Sequence, residues 1–152
     1  MNQEIMKVTD LHGNFRVTID GTEIGRWDGN ELSKGINLAE ITCTPQYQQS
    51  LSIMYLNEER FEVEKRFREY LWTEYSFLKK EGMLFADNQE AVNKLREYLP
   101  KDPFLRASYD WYTKAMYPEV REVWGKYMDA IVNTIYKMNK PTTHQVKLAK
   151  IR

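Results

Sequence analysis

At 152 residues the chain is long enough for one domain with a core of its own, since about 100–150 residues is the commonest domain size, and short for two. Twenty-two basic side chains balance 22 acidic ones, with 42% apolar and 29% charged residues, a composition that excludes disorder driven by charge excess and gives a nucleic-acid partner no support. The single cysteine, Cys43, rules out an internal disulfide and a cysteine-rich zinc site, and no run approaches the roughly 18 apolar residues of a membrane span.

Turn signals and β-branched residues dominate up to about residue 44, and long amphipathic stretches follow. Ile5 to Val8, closed by Asp10 to Gly13, reads as a strand. Phe15, Val17 and Ile19 alternate with Arg16 and Thr18, the period of a half-buried strand. Asp20-Gly21 then supplies a two-residue turn whose central positions need positive φ. A simple hairpin register sets Ile19 opposite Thr22, Val17 opposite Ile24 and Phe15 opposite Arg26, with Ile5 to Val8 beside them. Asn30 is a good N-cap for one helical turn, Glu31 to Lys34, which Gly35 stops. Ile36 to Ile41 reads as an irregular connection.

Thr44-Pro45 opens a helix with a hydroxyl cap and proline at the first position, where the missing N–H is not needed. Nothing breaks it before about Lys80. The residues Tyr47, Leu51, Met54 and Tyr55, then Phe67, Leu71, Tyr75 and Leu78, follow the spacing of a buried stripe. Gly82 ends this helix. Asp87 with Glu90 forms a capping-box-like start for Asn88 to Leu99. Asp102-Pro103 opens a helix through Ala115, and Pro118 opens the last, with Val120, Trp124, Tyr127, Ile131, Ile135 and Met138 on its inner side. Val146 and Leu148 alternate with polar neighbours in the tail, a strand that needs the N-terminal sheet to be stable. The expectation is a single α+β domain over 1–152: a β-rich part (1–44), a helical part (45–140) and a returning strand (141–152). A small antiparallel sheet from both chain ends packs on a bundle of about four helices, one of them long.

Catalytic chemistry finds little purchase. Gly-x-Ser-x-Gly and Gly-Asp-Ser are absent, and Ser33, Ser50, Ser52, Ser76 and Ser108 fall in or beside helices. Cys43 with His12 or His144 has the residue types of a thiol dyad, but nothing supplies a third, orienting group, and lone cysteines are more often small hydrophobes. No histidine falls on a helix, so a carboxylate-bridged metal site has no Glu-x-x-His motif. The run Glu58 to Glu69 reads as a solvated face with Glu62–Arg66 and Glu64–Arg68 pairs. Aromatic residues make up 13% of the chain, with four Trp and ten Tyr. Trp72, Tyr75, Trp124 and Tyr127 recur at helical spacing and are expected in the core. Trp111 and Tyr112, adjacent and so pointing different ways, are the candidates for an interface or a glycan-stacking role. No cofactor, metal ligand or catalytic residue is expected.

Three stretches carry a family resemblance: Phe15 to Gly25, Glu31-Leu32-Ser33-Lys34-Gly35-Ile36-Asn37-Leu38-Ala39, and Thr44-Pro45 with Gln48-Gln49. They resemble the segment that follows the catalytic domain in SGNH/GDSL-type ester hydrolases, where a hairpin of this type leads to a Gly-x-Asn-Leu-Ala turn, a Thr-Pro helix start and a mostly helical remainder. Pro141 to Leu148 is similar to their C-terminal strand. The resemblance implies a non-catalytic C-terminal domain, because the nucleophilic Gly-Asp-Ser block, the oxyanion-hole residues and the Asp-x-x-His pair of that family lie upstream of the hairpin and have no match here. It implies structural roles for Asp20, Gly21, Gly35 and Asn37, with Gly35 in the left-handed helical region and Asn37 bonding nearby backbone. The implied partners are a hydrolase catalytic domain or a second copy of the chain, with a glycan as a third candidate. The competing reading is a free-standing helical protein–protein interaction domain. Met1-Asn2-Gln3-Glu4 lacks the blocks of a signal peptide, while many members of the resembled family are exported, so the compartment stays open.

Overall fold

The computed structural model describes residues 3–152, and the start Met1-Asn2, read above for a leader, lies outside the described residues. The fold is α+β. Two compact units, each with its own apolar core, make it up: the described residues through Tyr55 together with Tyr136–Arg152, and Leu56–Ile135.

In the first unit the strands are β1 (Ile5–Met6), β2 (Asn14–Ile19) and β3 (Thr22–Asp28). Asp20 (φ 51°) and Gly21 (φ 87°) make the tight turn between β2 and β3. Ile19 faces Thr22 and Thr18 faces Glu23, but a bulge then shifts the pairing, so Val17 faces Gly25 and Phe15 faces Trp27. This corrects the simple register, and the reason is side-chain polarity. Without the extra residue Arg26 would share the core side with Phe15; the bulge turns Arg26 to solvent, where it pairs with Glu23 at 2.8 Å, and brings Trp27 against the core. Gly25 is required beneath that ring, because a Cβ there would lie 2.4 Å from it.

The sheet draws on both ends of the chain. Strand β5 (Val146–Ile151) pairs antiparallel with β2, Ile19 opposite Val146 and Phe15 opposite Lys150, which makes β2 the middle strand. Both edges of β2 are thereby taken, and β1 is not the third strand beside the hairpin that the sequence suggests. It pairs instead with β4 (Ile36–Asn37), Ile5 opposite Asn37 and Met6 opposite Ile36. Between them, α1 (Gly29–Lys34) starts at Asp28 rather than Asn30. Asp28 Oδ1 accepts from the Glu31 N–H and Glu31 Oε2 accepts from the Asp28 N–H, each at 2.8 Å, a reciprocal cap that Asn30 has no partner to form. Gly35 stops the helix by donating its N–H to the Glu31 carbonyl, but at φ 106°, ψ 135°, outside the left-handed helical region foreseen for it.

The 32-residue helix α2 (Pro45–Ser76) begins where Thr44 Oγ1 accepts from the Tyr47 N–H at 3.3 Å. It ends at Ser76 rather than near Lys80, giving way to a 3-10 turn, Leu78–Glu81, closed by Gly82 at φ 71°. In the second unit α3 (Gln89–Tyr98) is capped by Asn88, whose Oδ1 accepts from the Ala91 N–H at 2.9 Å, not by Asp87, which is engaged elsewhere. Helix α4 (Pro103–Ala115) carries the Asp102 cap, and α5 (Pro118–Met138) completes the set. Their core joins Val63 and Tyr70 of α2 to Leu95, Leu105, Tyr112, Trp124 and Ile131.

Several expected core positions turn outward. The buried stripe of α2 runs through Val63, Phe67, Tyr70 and Glu74, so Leu71, Trp72 and Tyr75 are exposed, as are Met54 and Tyr55 of the first unit. On α5 Tyr127 is exposed and Met128 packs against the core instead. The ion pairs differ too. Arg60 pairs with Glu64 at 3.1 Å and Lys65 with Glu62 at 3.9 Å. Arg66 and Arg68 leave their expected carboxylates for aromatic faces, Arg66 over Trp111 and Trp124 (5.4 and 5.5 Å) and Arg68 over Phe61 (4.7 Å), because a flat guanidinium is weakly hydrated and stacks well.

A Cβ at Gly35 would sit 2.7 Å from Ile5 Cγ2, whereas one at Gly82 meets nothing within 4 Å. Gly82→Ala therefore carries only the backbone penalty, about 1–2 kcal/mol, and Gly35→Ala adds a clash with β1. Urea unfolding should show Gly35→Ala as the more destabilised variant; equal losses would contradict the packing of Ile5 on Gly35.

Candidate functional site

The densest set of buried polar groups lies in the second unit, under the segment between the 3-10 turn and α3. Glu74 is 0% exposed. Its Oε2 accepts the Phe85 N–H at 2.6 Å, and its Oε1 is buried without a hydrogen-bond partner. Nearby, the Tyr70 hydroxyl donates to Asp87 Oδ1 and Arg121 Nη1 donates to Asp87 Oδ2, both at 2.9 Å. Arg121 also donates to the Ala115 carbonyl and lies over the Tyr70 ring at 5.0 Å. The Tyr112 ring stacks on Tyr70 with centroids 5.8 Å apart, and its hydroxyl, like Glu74 Oε1, is buried and unpartnered.

Two carboxyl groups here face a single guanidinium. Burial, with Asp87's charge adding to it, pushes the Glu74 carboxyl above its usual range against the opposing Phe85 hydrogen bond. Burial likewise raises the Tyr70 and Tyr112 hydroxyls, so both stay neutral. Phe85 (φ 55°) and Asp87 (φ 45°) hold left-handed backbone, costing about 1–2 kcal/mol each for an L side chain. The bonds to Glu74, Tyr70 and Arg121 offset that cost and fasten the segment. The arrangement is suited to holding backbone in place; a fully buried carboxyl has no face to offer a substrate.

The residues singled out in the sequence are dispersed. Asp20 does more than turn the chain: its Oδ1 accepts from the Gln145 N–H at 2.8 Å and its Oδ2 meets His144 Nδ1 at 2.7 Å. The His144 contact holds the Asp20 carboxyl below its ordinary value. His144 Nε2 lies 3.1 Å from Thr142 Oγ1, so both ring nitrogens are engaged at the turn. Cys43 is exposed, and its Sγ approaches the Glu23 carbonyl at 3.7 Å. Among the described residues no hydrogen bond joins Cys43 or a serine to either histidine. Ser108 is buried and takes a hydrogen bond from Thr73 Oγ1 at 3.1 Å. Gly21 and Gly35 sit at the hairpin and helix ends already described. Asn37 Oδ1 accepts from the Glu4 and Ala39 N–H groups (3.0 and 3.3 Å), while its Nδ2 donates to Glu40 Oε1.

Tyr112 is fully buried, which removes it from any glycan-stacking surface; of the adjacent pair it is the inward member. Trp111 is half-buried, edge-on to Trp124 at 6.1 Å, with Lys114 Nζ 4.9 Å from its ring. A separate pocket of about 240 Å³ in the first unit is lined by Glu4, Leu38, Thr44, Gln46, Ser50 and Met54. The cluster that sequence reasoning missed is Glu74, Asp87 and Arg121. Its one local signal is a glutamate four residues after Tyr70 and three before Phe77, in register with a buried stripe.

Fold and polar groups together define a mainly helical module whose buried polar groups brace backbone. A family model, the diltiazem deacetylase C-terminal helical domain, matches residues 51–140, and the chain belongs to that family. Among solved structures, BT4096, described as a gut microbial diltiazem-metabolizing enzyme, is similar at 44% sequence identity with a TM-score of 0.91. That match covers 99% of this chain and 34% of the other, so the chain spans about a third of that relative's length. No curated protein matches.

Glu74→Gln keeps an acceptor for Phe85 and should cost under about 1 kcal/mol, whereas Glu74→Ala orphans that N–H and opens a void, at about 2–4 kcal/mol. Because the folded-state pKa of Glu74 is raised above 4.5, its contribution is fully present below that value and is lost as pH rises through the folded pKa. Thermal melts across pH should show this decline in the native chain and its removal in Glu74→Gln; identical profiles would show that Glu74 does not titrate this way.

Proposed function

We propose that this chain is the accessory C-terminal domain of an ester hydrolase that cleaves acetyl esters of the diltiazem type, and that it contributes contact surfaces instead of catalytic groups. The observation that carries the reading is its membership of the diltiazem deacetylase C-terminal helical domain family, joined to its likeness over 99% of its length to part of a diltiazem-metabolizing enzyme. The polar groups support a structural role: Glu74, Asp87 and Arg121 fasten a strained segment, and His144 is spent on Asp20. The hairpin, the Gly35 to Ala39 stretch and the Thr44-Pro45 helix start favour an SGNH-type parent, whose nucleophile would stand on the larger part of the enzyme.

The test is a chimera in which these 152 residues replace the corresponding third of the solved relative. The chimera should deacetylate diltiazem within about tenfold of the relative, about 1.4 kcal/mol in the barrier, while the chain alone shows no turnover of diltiazem or an aryl acetate. Turnover by the chain alone that disappears on changing one of its serines would overturn the reading, as would an inactive chimera.

A further inference from the structure

Helix α2 carries apolar side chains on two opposite sides. Val63, Phe67, Tyr70 and Glu74 face the core of the second unit. Phe61, Arg68, Trp72 and Tyr75 recur at intervals of seven, four and three, which places them together on the other side. The Arg68 guanidinium lies 4.7 Å from the Phe61 ring on that side. Trp72 is 38% exposed, Phe61 46% and Tyr75 51%. Beside them Phe104, in the first turn of α4, is 74% exposed and shares a groove of about 500 Å³ with Arg68, Glu69, Trp72 and Ala107.

We propose that this outer side of α2, with Phe104, is the surface that docks on the body of the hydrolase chain; the inference rests on the function proposed above. The match to a longer enzyme selects that occupant over a second copy. Side chains of this kind offer 150–250 Å² each, so the five exposed ones, counting Leu71 at the edge, present about 500 Å² of apolar surface. Apolar area of that size lies within the range of an interface between domains of one chain, about 600–1,500 Å². The solved relative also has about two thirds of its chain outside the region matched here, a body large enough to cover such a face. Among the described residues no carboxylate pairs with Arg68, so the occupant is an apolar surface bearing an acidic group opposite that guanidinium.

Carbene footprinting of the 152-residue chain alone and within the chimera tests this. Labelling of Trp72 and Phe104 should fall at least fivefold in the chimera. Phe104→Glu, and separately Arg68→Glu, should restore the labelling of Trp72 and lower the chimera's melting temperature, while Phe104→Glu leaves the circular dichroism and melting of the chain alone unchanged. Equal labelling in both contexts overturns the docking surface, and so does sedimentation showing a dimer of the chain alone that shields these residues. An active chimera with Trp72 freely labelled removes the docking face and leaves the functional reading standing; an inactive chimera removes both.

Discussion

A single helix can hide one side against its own domain, and α2 carries apolar residues on two. This constraint shapes the second unit. The side bearing Val63, Tyr70 and Glu74 is covered by α3, α4 and α5 residues such as Leu95, Leu105, Tyr112 and Trp124. The opposite side is left with Phe61, Trp72 and Tyr75 in contact with water. An exposed apolar patch of this size is often functional. The chain is similar over 99% of its length to about a third of a longer enzyme.

The covered side has its own peculiarity. Glu74 and Thr73 stand where a hydrophobic stripe would be expected, and both are 0% exposed. A buried carboxyl is tolerated when it gains a strong acceptor role and sheds its charge. Glu74 does the first through the Phe85 N–H, and burial beside Asp87 raises its carboxyl above the usual range, toward the second. In return the segment containing Phe85 and Asp87 is held in left-handed backbone that ordinary residues avoid. Asp20 has a comparable double duty in the first unit, turning the hairpin and accepting hydrogen bonds from the C-terminal strand region.

Much of the fold was legible because its signals are local. Asp20-Gly21 needs positive φ wherever it lies, Thr44-Pro45 and Asp102-Pro103 start helices by satisfying free N–H groups, and alternation in Val146 to Ile151 marks a strand. Some competing local signals were ranked by a partner: Asp28 over Asn30 by its i+3 partner Glu31, while other rankings needed a tertiary contact. Asp87 and Asn88 both resemble caps, and the outcome followed from which of them had a tertiary partner. Asp87 was taken by Tyr70 and Arg121, leaving the cap to Asn88. The stripe on α2 failed for a related reason: two rows of apolar residues satisfy helical spacing, and the true inner row contains a threonine and a glutamate.

By itself, then, the amino-acid order determined the α+β class, the turns, most helix starts and the strand at each end, since these depend on steric preferences and hydrogen bonds within a few residues. Tertiary structure alone decided the bulge that exchanges Arg26 for Trp27, the pairing of β1 with β4, which side of α2 is inside, and the meeting of Glu74, Asp87 and Arg121. Those outcomes depend on which distant groups compete for the same edge, face or charge, and that competition is settled only when the chain is packed.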